Sequence, residues 1–249
     1  MAQPNASASA SLFNNPILSD IKILQICEGK TKEYYAHRQI LAGQSSYFMR
    51  AFTGQFKEAT EPTMELHDDD PELFEIMLKF VYTGIYNMNE INNIFHNDIS
   101  KNVLVPVRLS ILADKYDING ILPPAAEHAL SKLRALSMGN FGSIKACIEC
   151  LYGACVQPNT AIGQSIVAAM LKHGKGSTKW GQELEPMILR YPILGADIAL
   201  HQNKQELLNV QKRKCLECHG VSLFMKNYTA MVWAKCPQCR QTGDLALLE

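Results

Sequence analysis

Cys215-Leu-Glu-Cys218 is followed by Cys236-Pro-Gln-Cys239, with 17 residues between the two pairs. This spacing constrains the C-terminal segment more tightly than any other feature constrains its part of the chain. Two thiolates three positions apart can reach one ion from a tight turn, and two such turns complete a tetrahedron. Residues 211–249 are too few to build a self-sufficient core. Bound metal would supply the folding energy, on the order of 10 kcal/mol. The expectation is a zinc ribbon holding one structural Zn2+ on Cys215, Cys218, Cys236 and Cys239, with short strands at 221–225 and 229–233. Cys215-x-x-Cys218-His219 also has the order that attaches haem covalently. The second pair at zinc spacing, and an N-terminus without the features of an export signal, decide for zinc. Four protein ligands leave no open position for a catalytic water.

The rest of the chain is large enough for a core of its own. Its 249 residues are 47% hydrophobic and 19% charged. Lys+Arg and Asp+Glu are both 24, and this zero net charge argues against bulk electrostatic binding to nucleic acid or an anionic membrane. No stretch approaches the roughly 20 apolar residues that span a bilayer. The expected location is the cytoplasm or nucleus, where cysteines stay reduced. Cys147 and Cys150 have no second pair and sit on a helical pattern beside Ile144, Ile148 and Leu151, as buried thiols do. The histidines form no triad with a visible nucleophile.

Residues 1–13 are small and polar and read as a tail. Ile21-Lys-Ile23-Leu-Gln-Ile26 is a strand pattern, and Glu28-Gly29 turns the chain into a second strand at 32–36. Two short helices (37–44 and 46–53) and a third strand (63–66) follow. Asp68-Asp69-Asp70-Pro71 opens a helix with Asp70 as N-cap and Pro71 at N1, and Gly84 ends it. Residues 87–101 read as an Asn-rich connection. Helical patterns then cover 103–116, 118–133, 141–151, 161–172, 186–191 and 193–210. Residues 173–179 read as a solvated loop without phosphate-loop order.

Several of these stretches together resemble the BTB/POZ domain family. They are Ser19-Asp20-Ile21-Lys22-Ile23, Tyr35-Ala36-His37-Arg38-Gln39-Ile40-Leu41-Ala42, Ser46-Tyr47-Phe48-Met49-Arg50-Ala51-Phe52 and Phe56-Lys57-Glu58-Ala59. Leu78-Lys79-Phe80-Val81-Tyr82-Thr83-Gly84 and Leu112-Ala113-Asp114-Lys115-Tyr116 continue the match. The resemblance covers about two-fifths of the chain. It implies a small mixed sheet against a helix cluster, function through protein–protein contact, and no catalytic residues. It also implies a homodimer with Asp20, His37 and Arg38 in a charged pocket near the dimer cleft, where Asp20 and Arg38 would pair. Phe56 and Glu58 match the motif that members use to dock on cullin-type ubiquitin-ligase scaffolds. Neither kelch repeats nor a finger array is visible in 121–249.

The sequence therefore predicts an α+β chain: a tail (1–13), a BTB/POZ domain (14–120), a helical region (121–210) and a zinc ribbon (211–249). The expected function is a non-enzymatic adaptor or scaffold that dimerises with itself, with either a cullin scaffold or another protein as its further partner. The alternative is a nuclear regulator using the ribbon, whose segment from 209 carries a net charge of +3, to contact nucleic acid or a cofactor protein.

Overall fold

The structure is a computed structural model. It describes residues 11–94, 99–136, 141–154, 157–174, 178–204, 210–215, 221–225, 234–235, 242–243 and 245–247. Of 99–101, 178–181 and everything from 210 onward, the backbone alone is described. The chain divides into two compact units, Met1–Asp197 and Ile198–Glu249.

The first unit starts with a hairpin of β1 (Ile21–Cys27) and β2 (Lys30–Ala36). Their register runs from Ile21↔Ala36 to Cys27↔Lys30. Both turn residues have positive φ, Glu28 at 49° and Gly29 at 75°. A turn of that hand matches the twist of the paired strands. β1 alternates, with Ile21, Ile23 and Gln25 buried, so one face lies on the core. β3 (Thr63–His67) pairs with β1 in parallel, Lys22↔Thr63 to Ile26↔His67. A parallel neighbour requires a long crossover, and α1 (Arg38–Gln44) and α2 (Ser46–Thr53) supply it.

Helix α3 (Pro71–Thr83) is the centre of this part of the fold. Eight of its 13 residues are buried, so it is enclosed on most sides. Asp70 Oδ1 accepts from the Glu72 and Leu73 N–H groups at 3.0 and 3.2 Å. Gly84 closes the helix at φ 67°, a conformation that is strained for residues with a Cβ. The neighbouring Asp69 is buried and takes hydrogen bonds from Lys115 Nζ (2.6 Å) and the Tyr116 hydroxyl (2.5 Å). Tyr116 in turn stacks on Phe48 at 5.6 Å between centroids. The acidic triplet thus combines a helix cap with a buried anchor.

The Asn-rich stretch expected as a connection contains α4 (Met88–Ile94), capped by Asn87 Oδ1 accepting from Glu90 N–H and anchored by buried Ile91. After it come α5 (Ile99–Lys115), α6 (Leu122–Arg134), α7 (Phe141–Ala154), α8 (Ala161–Gly174), α9 (Thr178–Arg190) and α10 (Pro192–Lys204). α5 packs on α6 and α7, and α6 packs on α8. α9 begins well before the expected 186, because Pro186 lies inside the helix and does not open it. The expected tail also ends earlier: Leu12 and Phe13 pack on the core, and Phe13 meets Tyr82 edge-on at 5.9 Å.

Asp197 is fully buried. It accepts from the Tyr152 hydroxyl (2.8 Å) and the Asn159 N–H (2.5 Å), tying α7 and the α7–α8 loop to α10. Cys147 is buried and Cys150 half-buried, both as free thiols. In the second unit, β4 (Val210–Cys215) pairs antiparallel with β5 (Val221–Met225) and with β8 (Leu245–Leu247). β6 (Ala234–Lys235) and β7 (Thr242–Gly243) form a separate antiparallel pair.

Candidate protein-interaction surface

The charged residues singled out in the sequence meet where β1 begins and α1 begins. Helix α1 has no side-chain cap from its own N-cap residue, His37. The first N–H groups of a helix need outside acceptors. Asp20, from the start of β1, supplies one: its Oδ1 accepts from the Arg38 N–H at 2.8 Å. An anion at a helix N-terminus also suits the helix dipole. Ser19 secures the same corner by donating its hydroxyl to the Ala36 carbonyl at 3.0 Å.

Asp20 and Arg38 are adjacent, but the carboxylate contacts the Arg38 main chain and the guanidinium points elsewhere. Asp20 is exposed and has no need of a buried counter-charge. Arg38 donates to the carbonyls of Glu58 (3.1 Å), Ala59 (3.5 Å) and Glu61 (2.5 Å). Its Nε reaches the Asp20 carbonyl at 3.5 Å, and its guanidinium lies over the Phe52 ring at 5.2 Å. One planar fork thereby fixes the whole 58–61 turn, a geometry an ammonium could not reproduce.

His37 is buried at 6% exposure. Its Nε2 lies 2.7 Å from the Ile17 carbonyl, and its Nδ1 lies 3.0 Å from the Tyr82 hydroxyl. The carbonyl can only accept, so Nε2 carries a proton. In the neutral ring Nδ1 then accepts from the Tyr82 hydroxyl. The same hydroxyl oxygen accepts the His37 N–H at 3.0 Å. Burial pushes the Tyr82 phenol up to about 12, so it stays a donor at neutral pH. Sequence reasoning did not pick Tyr82 as a site residue; its one signal was a polar tip on the apolar face of α3.

Phe56 is 63% exposed. Its ring lies against Gly54, where an added Cβ would come within 3.0 Å of the ring and 2.6 Å of the Arg50 carbonyl. Glu58 is half-buried and joins the cluster through its carbonyl. Ile17 and Leu18 are 62% and 81% exposed, and Tyr35 is 41% exposed. Asn14 Oδ1 accepts from the Tyr35 N–H at 3.0 Å, holding the 14–18 segment against β2. Leu18 and Phe56 therefore each project two residues away from a residue bound to Arg38. An exposed apolar side chain on a fixed backbone is suited to filling a partner's pocket.

Elsewhere in the first unit, Ser110, Asp114, Leu122, Leu151 and Ile162 help line a groove of about 270 Å3 between α5, α6, α7 and α8. No histidine or cysteine is among its lining residues. Of the four cysteines expected from the sequence to hold zinc, Cys215 ends β4, while Cys218, Cys236 and Cys239 lie outside the described residues. Among the described residues no group of three or more His, Cys, Asp or Glu side chains could hold a metal ion, and no helix is long and apolar enough to cross a membrane.

Comparison with known proteins agrees with this architecture. The family model of the BTB/POZ domain matches residues 10–104. The ARM repeat protein interacting with ABF2 of Arabidopsis thaliana is 34% identical over 108 residues, 43% of this chain and 13% of that protein. TD and POZ domain-containing protein 4 of Mus musculus is 36% identical over 73 residues, 29% of this chain and 19% of that protein. Kelch-like protein 38 of Homo sapiens is 36% identical over 74 residues, 30% of this chain and 12% of that protein. Each match thus spans less than a fifth of the relative. The three-stranded mixed sheet, the helices packed on it and these matches agree: the N-terminal part of the chain is a BTB/POZ domain.

Proposed function

We propose that this protein is a non-enzymatic adaptor that works by protein–protein contact, dimerising through its BTB/POZ domain and docking on a cullin-type ubiquitin-ligase scaffold. The observation that carries the reading is the Arg38 clip. It fixes the 58–61 turn through three main-chain carbonyls while Phe56, just before that turn, stays 63% exposed. Holding a turn rigid beside an exposed aromatic lowers the ordering cost of association. Phe56 would be the anchor in the scaffold's pocket and Glu58 a charge at its rim. Asp20, His37 and Arg38 would form the pocket beside the dimer cleft, with Ile17, Leu18 and Tyr35 as its apolar surroundings. An adaptor of this kind operates in the cytoplasm or nucleus.

Pull-down of a purified cullin N-terminal domain tests the docking part. Phe56→Ala is expected to weaken capture at least tenfold, the loss of a well-buried aromatic anchor being worth about 2 kcal/mol or more, and Glu58→Ala to weaken it less. Capture by neither the native chain nor the variants would remove the cullin reading.

A further inference from the structure

We infer that Gly54 is a positioning residue of the candidate docking surface: having no side chain, it lets the Phe56 ring lie on the end of α2 and so presets the aromatic anchor before a partner arrives. The role deepens the adaptor function proposed above and rests on it for the identity of the partner.

The backbone on both sides of Phe56 is held by other elements. Beyond it, the Phe56 carbonyl accepts from the Ala59 N–H at 3.1 Å, and Arg38 binds the carbonyls of Glu58, Ala59 and Glu61. Before it, α2 is tied down along its length. The Ser45 hydroxyl accepts from the Phe48 N–H at 3.1 Å and donates to the Tyr116 carbonyl at 2.6 Å. Asp117 Oδ2 takes the Ser46 hydroxyl at 2.9 Å and Arg50 at 2.7 Å. The Arg38 guanidinium also lies over Phe52 of α2, so one side chain holds α2 and the 58–61 turn together. The Gly54 N–H closes α2 on the Arg50 carbonyl at 2.9 Å.

Only Gly54, Gln55 and Phe56 link these two fixed parts. Gly54 has φ −82° and ψ −169°, an extended conformation open to any residue. Space is what requires a glycine there. A Cβ would lie 2.6 Å from the Arg50 carbonyl oxygen and 3.0 and 3.2 Å from two carbons of the Phe56 ring. The carbonyl is main chain and part of the bond that closes α2, so it cannot turn aside. An alanine would have to open that bond, push the ring away, or both. Gly43 on α1 is a contrast, because a Cβ there meets nothing within 4 Å.

Core packing does not account for the ring's pose, since Phe56 is 63% exposed. The ring rests one part on glycine and leaves the rest open. An exposed aromatic free to turn must be ordered when a partner binds, and that cost is a loss of about two- to tenfold in affinity. Resting on Gly54 removes much of the cost in advance.

The test uses the full-length protein. With [2-13C]glycine labelling, the Gly54 Hα signal, assigned through its sequence neighbours, is expected upfield of an ordinary glycine, because one Hα points at the ring where a Cβ would stand. In Phe56→Ala it should return to the ordinary position. Both chains keep Gly54, so this readout holds even where Gly54→Ala folds poorly. In titrations with a purified cullin N-terminal domain, Gly54→Ala should weaken binding about two- to tenfold and Gly43→Ala should not. In a Phe56→Ala background, Gly54→Ala should add no further loss. A Gly54 signal unmoved by Phe56→Ala would overturn the inference. So would a Gly54→Ala effect that is absent, or equally large without the ring. A native chain that shows the shifted signal yet binds no cullin would refute cullin as the partner and leave the preset ring standing.

Discussion

Replacing Tyr82 with phenylalanine removes one oxygen from the charged corner and nothing else. The ring keeps its place against Phe13 and His37, so no cavity opens beyond the hydroxyl itself. Two groups of His37 lose their partner: the main-chain N–H at 3.0 Å and Nδ1 at 3.0 Å. His37 is 6% exposed, so neither group can turn to solvent without moving α1. Each buried orphan costs about 1–3 kcal/mol, and one partner of the pair can relax, so Tyr82→Phe should destabilise the first unit by about 2–4 kcal/mol. For a unit of this size that corresponds to a fall in Tm of about 5–15 °C. The assay is urea unfolding with thermal melts as a check, and Tyr35→Phe as the control, since Tyr35 is 41% exposed. The control should stay within about 0.5 kcal/mol of the native protein. A Tyr82→Phe protein as stable as that control would refute the reasoning that this hydroxyl organises the corner.

Burial, with Lys132 nearby, lowers His128 from 6.5 to about 4. The unfolded chain therefore takes up this proton first as the pH falls. Stability present above pH 6.5 is lost progressively towards pH 4, by about 3 kcal/mol in all. Unfolding curves between pH 7 and 4 should be flatter for His128→Gln, and parallel curves would contradict the claim. Gly163→Ala should destabilise α8 and its neighbours by about 1–3 kcal/mol, because the added Cβ would lie 2.5 Å from Asp197 Oδ2 and 2.9 Å from Thr160 Oγ1; unchanged urea midpoints would show that the α7–α8 loop gives way freely. Asp197→Ala should cost about 2–5 kcal/mol by leaving the Tyr152 hydroxyl and Asn159 N–H without this acceptor, and an unaltered Tm would mean that the buried carboxylate is not a fastening.

The elements that could be read from sequence are those whose signals are local. Alternation marks β1, Glu28-Gly29 marks its turn, and Asp70-Pro71 with Gly84 brackets α3. Helix α4 was not legible because its asparagines favour caps and loops over helix interiors. Tertiary contacts hold it: buried Ile91, and Lys79 on α3 bonded to Glu90 at 2.8 Å. Pro186 and Pro106 both lie inside helices, where a proline reads from sequence as a boundary. At the candidate surface, the resemblance brought Asp20, His37 and Arg38 into one place, but not their bonds. Arg38 spends its donors on carbonyls of the 58–61 turn, and main-chain acceptors leave no mark in the side-chain sequence. Tyr82 is 45 residues from His37, and its role exists only once α3 packs beside β2.

The proposal that this chain acts through protein–protein contact rests most directly on its self-association. Light scattering coupled to size-exclusion chromatography, on the native protein at micromolar concentration, reads that property without assuming a partner. The expected mass is that of two chains. A mass of one chain across the micromolar range would contradict the dimer on which the proposed function is built.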